Sequence, residues 1–322
     1  MKEKTFGLDL KDRKILSELD KDCRQPNSTI AKKVGLSTEV VSYRIKRLEQ
    51  EKIITQYQVA LNLSKLGVIQ FRVLLSFQHI TSGELEKKIS KLKENKNVKW
   101  LVSCNGAWDL VAALETDSVA NIDSLKNEVL SAFSGFVSKK AISISSRASV
   151  CSRSFILDEQ NSEEKTLLDS SEKIDLEDID IKILKQLSEN ARKSAVDIAT
   201  ELNTTARIIA YRIKQMIKLK LIQGFRIAIN YEKLGIQFYK GFVYLDNPEK
   251  TKIQELTQYL KQHKNVIHHV KVISNWDLEP EFEVTSEEEF NKILTDIKDK
   301  FSDIIKNIDI ITISKEHKFV YF

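Results

Sequence analysis

Apolar residues recur at helical spacing through the first fifty positions. Ile15, Leu16 and Leu19 form one stripe, Ile30, Ala31 and Val34 a second, and Val41, Ile45 and Leu48 a third, which predicts three helices each burying one face. Asp9 or Asp12 stands where the first helix needs an N-cap, Ser28 where the second does, and Gly35-Leu36-Ser37 supplies a tight turn with a serine cap for the third. Two short helices joined by a glycine turn are a helix-turn-helix unit. The stretch from Ile53-Ile54 to Asn62 then alternates as a strand and is broken at Leu66-Gly67. Further on, strands are expected near Phe71–Phe77, Val98–Cys104, Trp108–Glu115 and Phe136–Ser146, with helices near Ser82–Glu94 and Ser118–Phe133 between them. That order is the split βαβ, ferredoxin-like arrangement.

The same pattern then begins again. A shift of 168 residues lays Ile15-Leu16 on Ile183-Leu184 and Trp108-Asp109-Leu110 on Trp276-Asp277-Leu278 without a gap. Between Tyr43 and Gly67, eleven of 25 positions are identical to their counterparts, far above chance. The period is too long for a solenoid unit, so a whole module has been duplicated. In the second copy Asn203 replaces the turn glycine, Asn247-Pro248 marks a helix start, and Ser286 with Glu289 forms a capping box. The reading is an α+β chain with two winged helix-turn-helix domains and two ferredoxin-like domains in tandem. Its segments are 1–62 and 63–154, an acidic linker over 155–175, then 176–230 and 231–322. A two-fold object would then be carried by one chain.

Composition narrows the class. Residues 1–154 hold 26 basic against 17 acidic side chains, residues 155–175 two against seven, and residues 176–322 23 against 22. The basic first copy suits a polyanion, and the polar, acidic stretch between copies reads as a linker. No apolar run approaches a membrane span, and the opening Met1-Lys2-Glu3-Lys4 lacks an apolar signal core. Cys23, Cys104 and Cys151 are scattered, as expected for reduced thiols in the cytoplasm. The chain shows no phosphate loop, zinc-protease motif or nucleophile elbow, so no catalytic residue, metal or cofactor is expected.

Asp12-Arg13-Lys14-Ile15-Leu16, Gly35-Leu36-Ser37, Arg44-Ile45-Lys46-Arg47-Leu48, Leu66-Gly67 and Gly106-Ala107-Trp108-Asp109 stand in an order that resembles the leucine-responsive/asparagine-synthase regulator (Lrp/AsnC) family of transcription factors. The resemblance covers nearly the whole chain outside the linker, twice. It implies winged DNA-binding heads and ferredoxin-like sensing domains that dimerise. The chain departs from the family pattern in three places. It carries two copies; the family's glycine after the recognition helix is Lys52 and Lys220; and the second sensing turn begins with Ser274.

The resemblance implies double-stranded DNA as partner. The recognition helices offer Ser37, Thr38, Ser42, Tyr43, Arg44, Lys46 and Arg47 in the first copy and Thr205, Arg207, Tyr211, Arg212 and Lys214 in the second. Short hydroxyls suit base edges, and Tyr, Arg and Lys suit phosphates. Arg44 and Arg212 have an alternative use as salt bridges within the head. A small effector such as an amino acid is expected at the sensing turn, with Asn105 and Gly106 giving backbone groups, Trp108 a wall and Asp109 an ammonium acceptor. Asp277, Glu279, Glu281 and Glu283 fall on one face of a strand, read either as solvated or as meeting a basic surface such as Lys139-Lys140 or a cationic effector. Two other readings stay open: a siroheme-decarboxylase-like tetrapyrrole enzyme using His268 or His269, and a metabolite sensor without DNA binding. Assembly of pseudo-dimers into oligomers is left open too, and no membrane partner is expected.

Overall fold

The structure, a computed structural model, describes residues 7–160, 163–246 and 249–320. The N-terminal Met1-Lys2-Glu3-Lys4 and the expected helix start at Asn247-Pro248 lie outside the described residues. Each copy opens with three helices: α1 (Leu10–Lys21), α2 (Asn27–Val34) and α3 (Thr38–Gln50) in the first. Asp9 caps α1 in a reciprocal capping box with Asp12, and Ser37 Oγ accepts the Val40 N–H at the start of α3. The second helix begins one residue before the expected Ser28 cap. Pro26, with φ near −60°, sets its entry, and no side chain caps it.

The head ends in a strand, β1 (Ile54–Leu61), and the ferredoxin-like part follows as β2 (Ile69–Phe77), α4 (Ser82–Lys93), β3 (Val98–Gly106), β4 (Leu110–Thr116), α5 (Ala120–Ala132) and β5 (Val137–Cys151). The segment expected as a plain linker is partly ordered. It contains a 3-10 turn at Ser154–Leu157 and a strand, β6 (Glu164–Leu168), which pairs with the end of β5. Its apolar Leu167 and Leu168 pack on the core, which the acidic composition hid. The second copy gives α6 (Asp178–Glu189), α7 (Ala195–Glu201), α8 (Ala206–Lys218), β7 (Ile222–Ile229), α9 (Tyr231–Leu234), β8 (Gln237–Leu245), α10 (Lys250–Gln262), β9 (Val266–Ile273), β10 (Leu278–Val284), α11 (Glu287–Lys300) and β11 (Ile305–Phe319).

The two copies are joined through their strands. β1 and β7 pair antiparallel into a two-stranded ribbon, so each head is closed by a strand bonded to the other copy. In the main sheet the order is β2-β4-β3-β11-β8-β10-β9-β5, and β5 also pairs with β2. The hydrogen-bonded circuit therefore closes on itself, with β6 appended. The long last strand of each copy makes the closure: β11 pairs with β8 and crosses to β3, and β5 pairs with β2 and crosses to β9. Closure removes the edges that an open sheet would leave unpaired.

Two cores lie outside this circuit, under α4–α5 and under α10–α11. A third fills its interior and continues into the heads. Trp108 and Trp276, equivalent in the repeat, meet there with ring centroids 6.3 Å apart.

Candidate nucleic-acid interface and polar interior

The expected recognition residues divide into four groups. Ser37 and Thr205 are helix N-caps, accepting the Val40 and Ile208 N–H groups at 3.3 Å each. Arg44, Arg47 and Arg212 are tied back to the first helix of their own head. Arg44 Nη1 donates to Asp9 at 2.7 Å and Asp12 at 2.8 Å, Arg47 reaches Asp12 at 2.6 Å, and Arg212 reaches Glu177 at 2.6 Å. These carboxylates hold the Arg44 guanidinium above its ordinary range, through its bonds to Asp9 first and Asp12 next. The outward face keeps Thr38, Tyr43, Lys46, Arg207, Tyr211 and Lys214 exposed, with Tyr43 at 68% and Tyr211 at 59%. Ser42 is half-buried and accepts from Asn27 Nδ2 at 2.8 Å.

Sequence reasoning missed Val40 and Ile208, equivalent positions on the exposed faces of α3 and α8. An aliphatic group there suits a thymine methyl in the major groove. The signal was available, since neither falls on its helix's inward stripe. Lys52 and Lys220, where the family has glycine, take left-handed backbone with φ of 53° and 56°. Asn203 does the same at 50° where the first copy has Gly35.

At the expected effector turn, Asp109 Oδ2 accepts the Phe77 N–H at 2.7 Å and Trp108 is core. Asn105 and Gly106 are exposed. Gly106 has φ +119°, and a Cβ there would lie 2.4 Å from the Ile310 carbonyl oxygen of the crossing strand β11. The neighbouring Ala107 N–H donates to that oxygen at 3.1 Å. In the second copy Ser274 Oγ donates to Ile142 O at 2.9 Å, and Ile142 is the repeat equivalent of Ile310. One contact between copies is thus made twice, by a backbone approach and by a hydroxyl. The turn is an inter-copy joint, with its Asp bonded to backbone and its Trp packed in the core.

Of the acidic row, Asp277 precedes β10 and is exposed, accepting the Leu245 N–H at 2.9 Å, but the three glutamates on β10 are not solvated, and they do not meet Lys139-Lys140. Glu279, Glu281 and Glu283 are buried. Lys240, fully buried on β8, bonds Glu279 and Glu281 at 2.8 Å each, and Arg72 lies 3.3 Å from Glu279. Lys240 and Arg72 are repeat equivalents, so two related cations share one carboxylate. Burial alone would push the Glu279 carboxyl up, but Lys240 and Arg72 outweigh it and bring it to about 2. Glu281, further bonded by His268 Nδ1 at 2.5 Å, is held lower still.

Arg153, two residues past β5 at the entry to the 3-10 turn, uses all five of its side-chain N–H donors. They go to Asp20 on α1, to the Ile227 carbonyl on β7, twice to Glu283 on β10, and to Tyr231. Arg226 also bonds Asp20, at 2.9 Å. Burial raises the Asp20 carboxyl, and Arg226 and Arg153 more than reverse that. The first head is thereby wired into the barrel interior. Sequence signals for this network existed: Arg72 and Lys240 are the charged residues of two largely apolar strands. His269 faces away from His268 and is buried, which lowers its imidazole to about 4.

The AsnC-type helix-turn-helix model matches residues 8–49 and again 176–217. The chain is 34% identical over 122 residues to the HTH-type transcriptional regulator LrpA of Pyrococcus horikoshii, covering 37% of this chain and 85% of that protein. The chain belongs to the Lrp/AsnC family. An uncharacterised HTH-type transcriptional regulator of Pyrococcus furiosus is 31% identical over 124 residues, 38% of this chain and 82% of the relative. Each of these regulators is therefore matched over most of its length by less than one 168-residue copy of the repeat. Over the whole chain, the crystal structure of the siroheme decarboxylase NirDL superposes with a TM-score of 0.62, covering 96% of this chain and 93% of that one at 14% identity. At that identity the likeness speaks for a shared fold.

Proposed function

We propose that this Lrp/AsnC protein is a cytoplasmic, sequence-specific DNA-binding transcriptional regulator that acts as a single-chain pseudo-dimer under the control of a small effector. One observation carries the reading. The arginines of α3 and α8 fix each helix to its own head, while Thr38, Tyr43 and Lys46, and Arg207, Tyr211 and Lys214, stay turned to solvent. A helix held from behind and exposed in front is what major-groove docking requires. The two faces differ at Glu39/Arg207, Ser42/Ala210 and Arg47/Gln215, so the preferred operator is an imperfect palindrome with unlike half-sites. Genome-wide mapping of bound DNA, followed by gel shifts on the recovered sites, tests this. Charge reversal at Lys46 and Lys214 together should abolish binding; unchanged affinity would leave the sensor without DNA binding as the better reading.

The tetrapyrrole-decarboxylase reading draws on the whole-length likeness to NirDL. Against it stands the interior cavity, about 140 Å³, well short of the roughly 300–1,000 Å³ of drug-sized ligand pockets. Titration with an iron tetrapyrrole, watching for a shifted absorption band, separates the two.

A further inference from the structure

The two heads touch each other directly. They meet through equivalent turns, between α1 and α2 in the first copy and between α6 and α7 in the second. Arg24 Nη1 crosses to the second turn and donates to the carbonyls of Ala191 at 2.5 Å and Lys193 at 2.8 Å. Its repeat equivalent, Arg192, crosses the other way and donates to Asn27 Oδ1 at 2.6 Å. Each guanidinium also lies over an aromatic ring of the other copy's ribbon strand, Arg24 over Phe225 and Arg192 over Tyr57, both at 5.3 Å. The backbone repeats the exchange: Cys23 N–H donates to Phe225 O at 3.1 Å, and Ala191 N–H to Tyr57 O at 3.0 Å. Both arginines, both rings and both backbone bonds are repeat equivalents, so the contact is reciprocal, as a two-fold interface requires.

From this contact, side chains lead on to the first recognition helix. Asn27, which holds Arg192, donates from Nδ2 to Ser42 Oγ at 2.8 Å. Tyr57, beneath Arg192, donates its hydroxyl to Glu49 Oε1 at 2.6 Å. Ser42 and Glu49 lie about two turns apart on α3, so an arginine of the second copy steadies that helix at two levels. In the second head the equivalents are Ala195, Ala210, Phe225 and Ile217, which can make neither bond. That head is gripped through its turn carbonyls instead, by Arg24. The β1–β7 ribbon by itself would be a poor spacer, since an isolated pair of strands is marginally stable at best. Charged donors fixed in a planar fork and stacked on rings hold their geometry better.

We propose that Arg24 and Arg192 form a head-to-head clamp that fixes the distance and rotation between α3 and α8, and so decides which half-site spacing in a DNA duplex the chain accepts. Neither arginine stands on a recognition helix; both act by positioning. The spacing half rests on the regulator reading; the clamp half does not. Two extra base pairs move one half-site by about 7 Å and turn it by about 70° against the other. A clamped pair of heads can follow neither change and keeps only one head docked.

The test takes a bound site recovered from the genome, with and without two base pairs inserted between its half-sites. In gel shifts the native chain should lose about a hundredfold in affinity on insertion, the low end of what linking two binding modules contributes. With Arg24→Ala and Arg192→Ala together, that penalty should fall to about tenfold or less. Removing two positive charges weakens binding to both duplexes alike, so the ratio between them is what is read. An unchanged ratio overturns the inference, even where overall affinity drops. A measurement without DNA accompanies it. Spin labels at Tyr43→Cys and Tyr211→Cys, on the exposed faces of α3 and α8, report the distance between the heads of the full chain, whose three native cysteines are buried. The distance distribution should be narrow with the arginines and clearly broader without them; equal widths overturn the clamp. Thermal melting shows whether the double variant is folded; if it is not, Arg192→Ala alone is read in its place, with an intermediate penalty expected. A chain that binds neither duplex while its label distances broaden as expected upholds the clamp and sinks the regulator reading, and the spacing half with it.

Discussion

Replacing Arg153 with methionine would leave Asp20 and Glu283 without the guanidinium that lies between them. Breaking one partner out of a buried ion pair costs about 3–5 kcal/mol, because the remaining charge stays desolvated. We expect Arg153→Met to lower stability by about that amount in urea unfolding, with Glu283→Gln recovering part of it, since Asp20 keeps Arg226. Glu279 makes a prediction in pH. Its carboxyl titrates near 2 in the folded chain against an ordinary 4.5, so the unfolded chain binds the proton first as pH falls. The stabilisation is fully present above about 4.5 and is lost as pH drops through about 2. Glu279→Gln should therefore be less stable at neutral pH, yet lose less further stability between pH 4.5 and 2. An equally steep acid limb in the variant would place the linkage elsewhere.

At the scale of elements, the recognition helices end in left-handed lysines. A non-glycine residue there costs roughly 1–2 kcal/mol, and glycine gives back part of that through its larger unfolded-state entropy. Lys52→Gly and Lys220→Gly should each stabilise the chain by about 0.5–1 kcal/mol, measurable as a higher urea midpoint. How these helices were legible is instructive. The inward stripes Val41/Ile45/Leu48 and Ile209/Ile213/Met216 are all buried, since period 3.6 and burial are two expressions of one packing constraint. The outward face was harder to read. Arginine and lysine look alike in a charged run, and only tertiary contact separates Arg44, bound to Asp9 and Asp12, from exposed Lys46. The acidic row on β10 misled for the same reason: alternation shows that its members share a face but not what that face meets, and its partners Arg72 and Arg153 lie far away in the chain. The inter-copy use of the sensing turn was invisible because Ile310 arrives from the other copy.

For the whole molecule, duplication without identity means that symmetry-related joints can be tested against each other. Gly106→Ala should destabilise by a few kcal/mol, since its Cβ would strike a backbone oxygen from a left-handed conformation. Ser274→Ala, at the equivalent joint, should lose only its one hydrogen bond to Ile142, about 1 kcal/mol. The heads differ more deeply. Asp20 ties α1 to Arg153 and Arg226, but its repeat equivalent is Ser188 and that of Arg226 is Gln58. Around Ser188, Gln56 Nε2 reaches the backbone carbonyl at 3.3 Å in place of a buried ion pair. Local opening free energy follows the buried contacts that must break, and opening the first head means separating Asp20 from two guanidinium groups. Amides of α6–α8 should therefore exchange with deuterium faster than those of α1–α3, and Asp20→Ser should bring the first head down to the rate of the second. Equal exchange in the unmodified chain would mean that the polar network holds the barrel together without holding the head.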